Sequence, residues 1–301
     1  MTLTISSLSI SKRSLRGRHP PSELQNRFRL ATKLLISNSS SQAYLREACA
    51  LIKGLCSNIA VSASGEYLNI PGANTKMFAH SEQFELPKSY GFKGGMAREL
   101  LAEVLQLRQF RTPRDIDLVR KGFYSTAQDR LVAERFMPND FRHGARIELI
   151  RSLPRYFTSR DLTINEILAF NEDIYTSIIG LLDHVSNTIR PSRYRGGTIH
   201  RQPELDGRVL LKMIRLFAES EHFNESVELV GLPDIINFSE FDLAINLDKA
   251  YQRGPKVAAI FAETLVLLGG LSASSDPLGD LLKQLEYLRY GEQDLIPHAR
   301  T

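Results

Sequence analysis

The chain has no tryptophan, only two cysteines and, in its first 22 residues, no acidic side chain. The missing tryptophan excludes nothing. Two cysteines without a matching set of histidines exclude a structural zinc site. Cys49 and Cys56 stand seven residues apart on an expected helix, too far along it for a disulfide. Two reduced thiols and a reducing compartment are therefore expected. No run of eighteen apolar residues occurs. The most apolar stretch, residues 257–271, is interrupted by Glu263 and by Gly269-Gly270, so it reads as a buried helix and not a membrane span. No membrane partner is expected.

What is present is ordinary for a globular protein: 301 residues, 43% hydrophobic and 24% charged. That length allows one large or two modest domains with a real core. The net charge of +4 is mild, but its placement is uneven. Between Lys88 and Arg160 there are fifteen Lys/Arg against eight Asp/Glu. Such a region suits a polyanionic substrate, or is a solvated basic face. The acid-free start carries Ser6, Ser7, Ser9, Ser11 and Ser14 with Lys12, Arg13, Arg16 and Arg18. This composition fits an organelle transit peptide or a plain basic arm. A cytoplasmic location is expected, with organellar import as the alternative.

Four segments follow. Residues 1–21 are a basic flexible arm. Residues 22–89 are a helical extension and loop. Pro20-Pro21-Ser22 signals a helix start, with Gln25 where a capping-box partner belongs, and the helix runs to about Ile36. Tyr44, Leu45, Ala48, Leu51, Ile52 and Leu55 repeat at helical spacing and predict a second helix. Residues 60–89 are polar and turn-rich, with room for one short strand. Residues 90–195 alternate strands and helices: a helix over 96–107, a strand over 115–119, a helix from Ser125 or Thr126 to Phe136, and a strand over 146–151. Residues 196–301 read as all-α, with helices over 206–219, 241–253, 256–268 and 277–290.

Chemistry concentrates in the third segment. Asp115-Ile116-Asp117 places two carboxylates at i and i+2 on an expected strand, hence on one face. Hard oxygen donors at this spacing suit Mg²⁺, whose other ligands are water and phosphate oxygens. Solvated surface acids are the bland alternative. Upstream, Gly94-Gly95 follows a strand and opens a helix, where backbone N–H groups are available to phosphate.

Together, "GFKGGMARELL…PRDIDLVRKG" resembles the head domain of the class II tRNA nucleotidyltransferase (CCA-adding enzyme) and bacterial poly(A) polymerase family. Gly94, Gly95, Arg98, Leu100, Leu101, Asp115 and Asp117 carry that likeness. "SRDLTINEILAF" at 159–170 is similar to the family's Arg-Arg-Asp-Phe-Thr-Ile-Asn block through Arg160, Asp161, Thr163, Ile164 and Asn165. "GLLDHVSNTIR" at 180–190 resembles the segment that follows, and Glu148 resembles an acidic position of the central sheet. The resemblance covers about residues 90–220.

The resemblance implies an α+β fold: a polymerase beta-like nucleotidyltransferase head with a small mixed sheet, then an all-α neck, here with the N-terminal helical extension added. It implies a template-independent RNA nucleotidyltransferase adding nucleotides to an RNA 3′ end, tRNA foremost. Two Mg²⁺ ions would be held by Asp115 and Asp117, with Glu148 as a further catalytic acid. Gly94, Gly95 and Arg98 would meet the triphosphate of ATP or CTP. Arg160, Asp161 and Asn165 would line the nucleotide site. A helix cap for Asp161 and a structural hydrogen bond for Asn165 are the alternatives.

Several positions depart from the pattern. Ser159 replaces an Arg, Leu162 a Phe and Glu99 an Asp. In the neck's base-reading Glu-Asp-x-x-Arg motif only Asp206 matches, and Arg208 falls one position early, about 100° around a helix. Lys212 and Arg215 fit later basic positions. The segment between Glu148 and Arg160 is short, as is the chain after the head. RNA grip would then come from the N-terminal extension or from a protein partner. Two other classes remain beside RNA transfer: a nucleotidyltransferase modifying a protein hydroxyl, and a degenerate head that only binds RNA.

Overall fold

The computed structural model describes residues 14–37, 42–55, 59–61, 67–73, 86–113, 116–122, 126–136, 147–192, 203–232, 238–269 and 275–283. Asp115, Cys56, Ser125, the first thirteen residues of the arm and the end of the expected 277–290 helix lie outside them. The strands are Ser14–Arg16 (β1), Ala60–Val61 (β2), Leu68–Pro71 (β3), Tyr90–Lys93 (β4), Asp117–Lys121 (β5), Glu148–Ile150 (β6), Ile167–Phe170 (β7), Asp173–Thr176 (β8), Thr188–Ile189 (β9) and Glu228–Val230 (β10). The chain divides into two compact units, one of residues 21–197 and one joining 1–20 to 198–301.

In the first unit the helix Glu23–Ser37 begins with a reciprocal cap. The Gln25 N–H donates to Ser22 Oγ at 3.1 Å, and the Ser22 N–H donates to Gln25 Oε1 at 2.9 Å. The helix Gln42–Leu55 follows. A mixed seven-stranded sheet has the order β2-β3-β8-β7-β4-β5-β6. Neighbours are antiparallel except β5 and β6. That parallel pair is joined through the helix Thr126–Phe136, as a parallel connection requires.

Period-two alternation gives the sheet two unlike faces. One face presents Ile70, Phe92, Leu118, Ala169 and Ile174 to a core shared with the helices Glu23–Ser37, Gln42–Leu55, Gly94–Val104 and Ile178–Ser186. The helices of the extension expected over 22–89 pack into this core. Phe28, Ala48, Ile52, Leu68 and Ile70 are buried in the same cluster as Met96, Leu100 and Leu181. An amphipathic helical pair has to cover its apolar stripe, and the nearest apolar surface is the head. The opposite sheet face carries a smaller cluster of Val119, Ile150, Tyr156, Phe157, Leu168 and Phe170, edged by Tyr67, Leu153 and Tyr175.

The second unit holds the helices Pro203–His222, Glu240–Tyr251 and Pro255–Leu267. It also corrects two expectations. The segment is not all-α, because β10 pairs antiparallel with β1. The end of the basic arm is thus ordered: Arg16 bonds the buried Glu228 at 3.3 Å, and the Arg18 N–H donates to Glu221 at 2.9 Å. Three-residue strands are too short to leave a legible alternation. Among the described residues no helix is long and apolar enough to cross a membrane.

The "RDLTIN" turn is clamped from below. Asp183 is fully buried on the helix Ile178–Ser186, accepts from Thr163 Oγ1 at 2.6 Å and pairs with Arg190 Nε at 2.6 Å. Removing one partner of a buried ion pair strands the other charge. Asp183→Ala is expected to lose about 3–5 kcal/mol, measured by urea unfolding. A loss under about 1 kcal/mol would mean that water reaches Arg190 in place of the carboxylate.

Candidate functional site

The site is built where β4 ends. Lys93 is the last strand residue and stands as the N-cap of the helix Gly94–Val104, with no side-chain cap at that helix start. Across the ladder Lys93 faces Asp117, the first residue of β5. Gly94 has φ +60°, and a Cβ placed there would come within 2.9 Å of Asp117 Oδ2. A side chain at 94 would be strained by that φ and would displace the carboxylate, so the conformation favours glycine. The carboxylate at 117 and the uncapped helix start are consequently brought together, as the sequence suggested for Gly94, Gly95 and Asp117.

Register adds the next residue. Val119 shares a face with Asp117 and is paired with Glu148 on β6, which puts Glu148 on that same face. Lys93 Nζ donates to Glu148 Oε2 at 2.7 Å. The Arg160 guanidinium donates to both oxygens, at 2.7 Å and 3.2 Å, as a fork. Arg160 also lies 4.0 Å from the Tyr156 ring centroid and donates to the Tyr156 carbonyl. Partial burial would raise the Glu148 carboxyl, but hydrogen bonds from Arg160 and Lys93, with their charges, outweigh it and hold it below the usual carboxylate range. Both Glu148 oxygens are committed to cations. Glu148, expected as a catalytic acid, here holds Lys93 and Arg160.

The other expected residues take varied places. Asp161 Oδ1 accepts from Asn165 Nδ2 at 2.8 Å and from the Leu162 N–H at 2.9 Å, so these two bond each other within their turn. Arg98 sits half-buried on the helix Gly94–Val104. Burial, then the charges of Arg108 and Arg98, push His184 down to about 3, so that imidazole is neutral. Glu99 pairs with Arg108 and accepts the Arg111 N–H at 3.1 Å, an internal tie. Asp206, Lys212 and Arg215 belong to the second unit, on the helix Pro203–His222. There the buried Arg215 is paired with Glu219 one turn on, and Arg208 with Asp242 at 3.0 Å. Lys93 and Tyr156 were not singled out from the sequence. The visible signal for Lys93 was its place directly before Gly94-Gly95.

The donor set bears on a metal. Among the described residues no group of three acidic, His or Cys side chains is arranged to hold an ion. Mg²⁺ needs only one or two carboxylates when phosphate and water complete its shell. Asp117 supplies a hard oxygen at the glycine turn, while Glu148 is occupied by its two cations.

The Glu148 pair carries a pH signature. The depressed carboxyl contributes stability that is complete above the unfolded Glu value, about 4.3, and is lost as pH falls through its lower folded value. In melting curves between pH 7 and pH 3, the gap between wild type and Glu148→Gln is expected to shrink toward the acid end. A gap of constant size across that range would show that the ion pairs contribute nothing.

No family model and no curated protein matches the chain. Among solved structures it is similar to a Thermotoga maritima CCA-adding enzyme complexed with tRNA, at 15% identity, over 69% of this chain and 55% of that one, with a TM-score of 0.34. It is also similar to a CCA-adding enzyme in complex with CTP, at 16% identity, over 60% and 47% of the two chains, with a TM-score of 0.33. A CCA-adding enzyme in complex with ATP gives 18% identity, 59% and 42% coverage and a TM-score of 0.29. The chain spans about half the length of these enzymes. Overlaps this loose carry no weight in assigning the site, which stands on its residues and their geometry.

Proposed function

We propose that this chain is a template-independent nucleotidyltransferase that joins a nucleotide from ATP or CTP to the 3′ hydroxyl of an RNA, tRNA foremost. The observation that carries the reading is the carboxylate of Asp117 set against the Gly94 turn at an uncapped helix start. Backbone N–H groups there suit a triphosphate, and the bare backbone at 94 permits close approach. Lys93 and Arg160, fixed on Glu148, add positive charge beside it.

In this reading Asp117, with Asp115 two residues before it, would hold Mg²⁺. The ion when bound neutralises the phosphates and favours ionisation of the attacking hydroxyl. The residues of the chain do the rest. The helix start orients the triphosphate for in-line attack. Lys93 and Arg160 hold cationic groups where charge builds on the leaving pyrophosphate, and their ion pairs fix them before substrate arrives. The turn carrying Asp161 and Asn165 shapes the floor beside Arg160.

A second acceptor class, a protein hydroxyl, is favoured by one observation. On the helix Pro203–His222, Arg208 and Arg215 are both engaged in ion pairs, where the resembled family reads the incoming base from its neck. One assay separates the two. Purified full chain with Mg²⁺ and each α-labelled NTP is given total RNA or a protein extract. Label in RNA of tRNA size, from ATP or CTP, is the expected result. Asp117→Ala should reduce it at least about a thousandfold, on the scale of lost transition-state charge stabilisation, while the melting curve is retained. Label in protein alone moves the acceptor, and full activity in the variant refutes the site.

A further inference from the structure

We infer that the chain grips the acceptor strand itself, through a small polar cleft beside Glu148 that binds backbone phosphates of single-stranded RNA; this rests on the nucleotidyltransferase reading. The cleft, about 220 Å³, is lined among others by Glu148, Arg151, Ser152, Arg155, Tyr156 and Ser159. That is smaller than the roughly 300–1,000 Å³ of sites that enclose a whole small molecule, so it suits part of a chain.

Its charge is set by Arg151 and Arg155. The one acid in the wall, Glu148, is already balanced by Lys93 and Arg160. Arg151 and Arg155 are exposed, and neither makes an ion pair among the described residues. Arg155 is anchored at its backbone, whose N–H donates to Ser152 Oγ, while its side chain makes no such commitment. Two forked cations on one rim, four residues apart, match successive phosphates of a flexible strand. Tyr156 is buried in the wall and carries Arg160 on its ring, which joins the cleft to the proposed centre. Asp117 lies one strand over and two residues along from Glu148, about 8 Å by sheet spacing. A strand held beside Glu148 is therefore within reach of the carboxylate.

The test is the salt dependence of binding of a labelled single-stranded oligoribonucleotide to the full chain, followed by anisotropy. Each lost phosphate contact makes the slope of log K against log salt shallower by about 0.7 for a single strand. Arg151→Ala/Arg155→Ala is expected to flatten the slope by about 1.4 and to weaken binding about tenfold at low salt, with an unchanged melting temperature. Arg151→Lys/Arg155→Lys should keep most of the slope, and Asp117→Asn all of it. An unchanged slope in the alanine variant, or wild-type binding to duplex RNA alone, overturns the cleft. If wild type transfers label but the slope does not move, the cleft falls and the transferase reading stands. If the slope moves but no label is transferred, the cleft stands and the transferase reading falls.

Discussion

The carboxylate of Glu148 is the point through which the candidate site is held together. It sits on the edge strand β6 and binds Lys93 from the end of β4 and Arg160 from the turn after the helix Leu153–Thr158. Three segments far apart in the chain meet on one group. Without it, two cations would face each other beside Tyr156 with nothing between them, and the turn bearing Asp161 would lose one of its ties to the sheet. A surface ion pair would be too weak for such a role. Here the geometry is bidentate, the partners are largely covered, and the arginine also stacks on an aromatic ring, which limits the rotamer freedom that each bond has to overcome.

This arrangement explains why the site's residue types were legible while their jobs were not. Asp117, Gly94 and Gly95 were readable because each stands in a short local pattern, Asp-x-Asp or Gly-Gly, while their meeting depends on the pairing of β4 with β5. The helices were readable for the same reason: the Ser22–Gln25 cap and the Leu100-Leu101 pair are local signals. Glu148 was picked out as an acid in a strand, but its two partners lie 55 and 12 residues away in the chain. Nothing in one sequence states that two cations will neutralise it. The same holds for Asp161 and Asn165, whose mutual hydrogen bond is not stated by their place in the sequence.

The packing of the elements has a related cause. The helices over 23–55 were recognised as helices, yet their membership in the head core depends on which apolar stripe they cover, and that is tertiary information. The pairing of β1 with β10 joins residues more than two hundred positions apart, through strands too short to announce themselves. Sequence pattern reports elements well when they span several periods, and fails where three residues are rescued by a distant partner.

The two sheet faces finally bear on where function can sit. The face holding Phe92 and Leu118 is spent on the core, where any polar group would need a partner. The opposite face alternates apolar residues such as Val119 and Leu168 with Lys93, Asp117 and Glu148, a pattern that a purely structural surface has no need of. Desolvating three charged side chains this far costs stability, and only part of it returns through their pairs. The apolar members make the region less polar than water, which strengthens the charge–charge contacts made there. Asp117 is the member of this row set against bare glycine backbone, and a residue with a Cβ at position 94 would close that approach. The conformation at Gly94 thus connects the sheet's register to the proposed site: the turn that starts the helix lies directly against the Asp117 carboxylate.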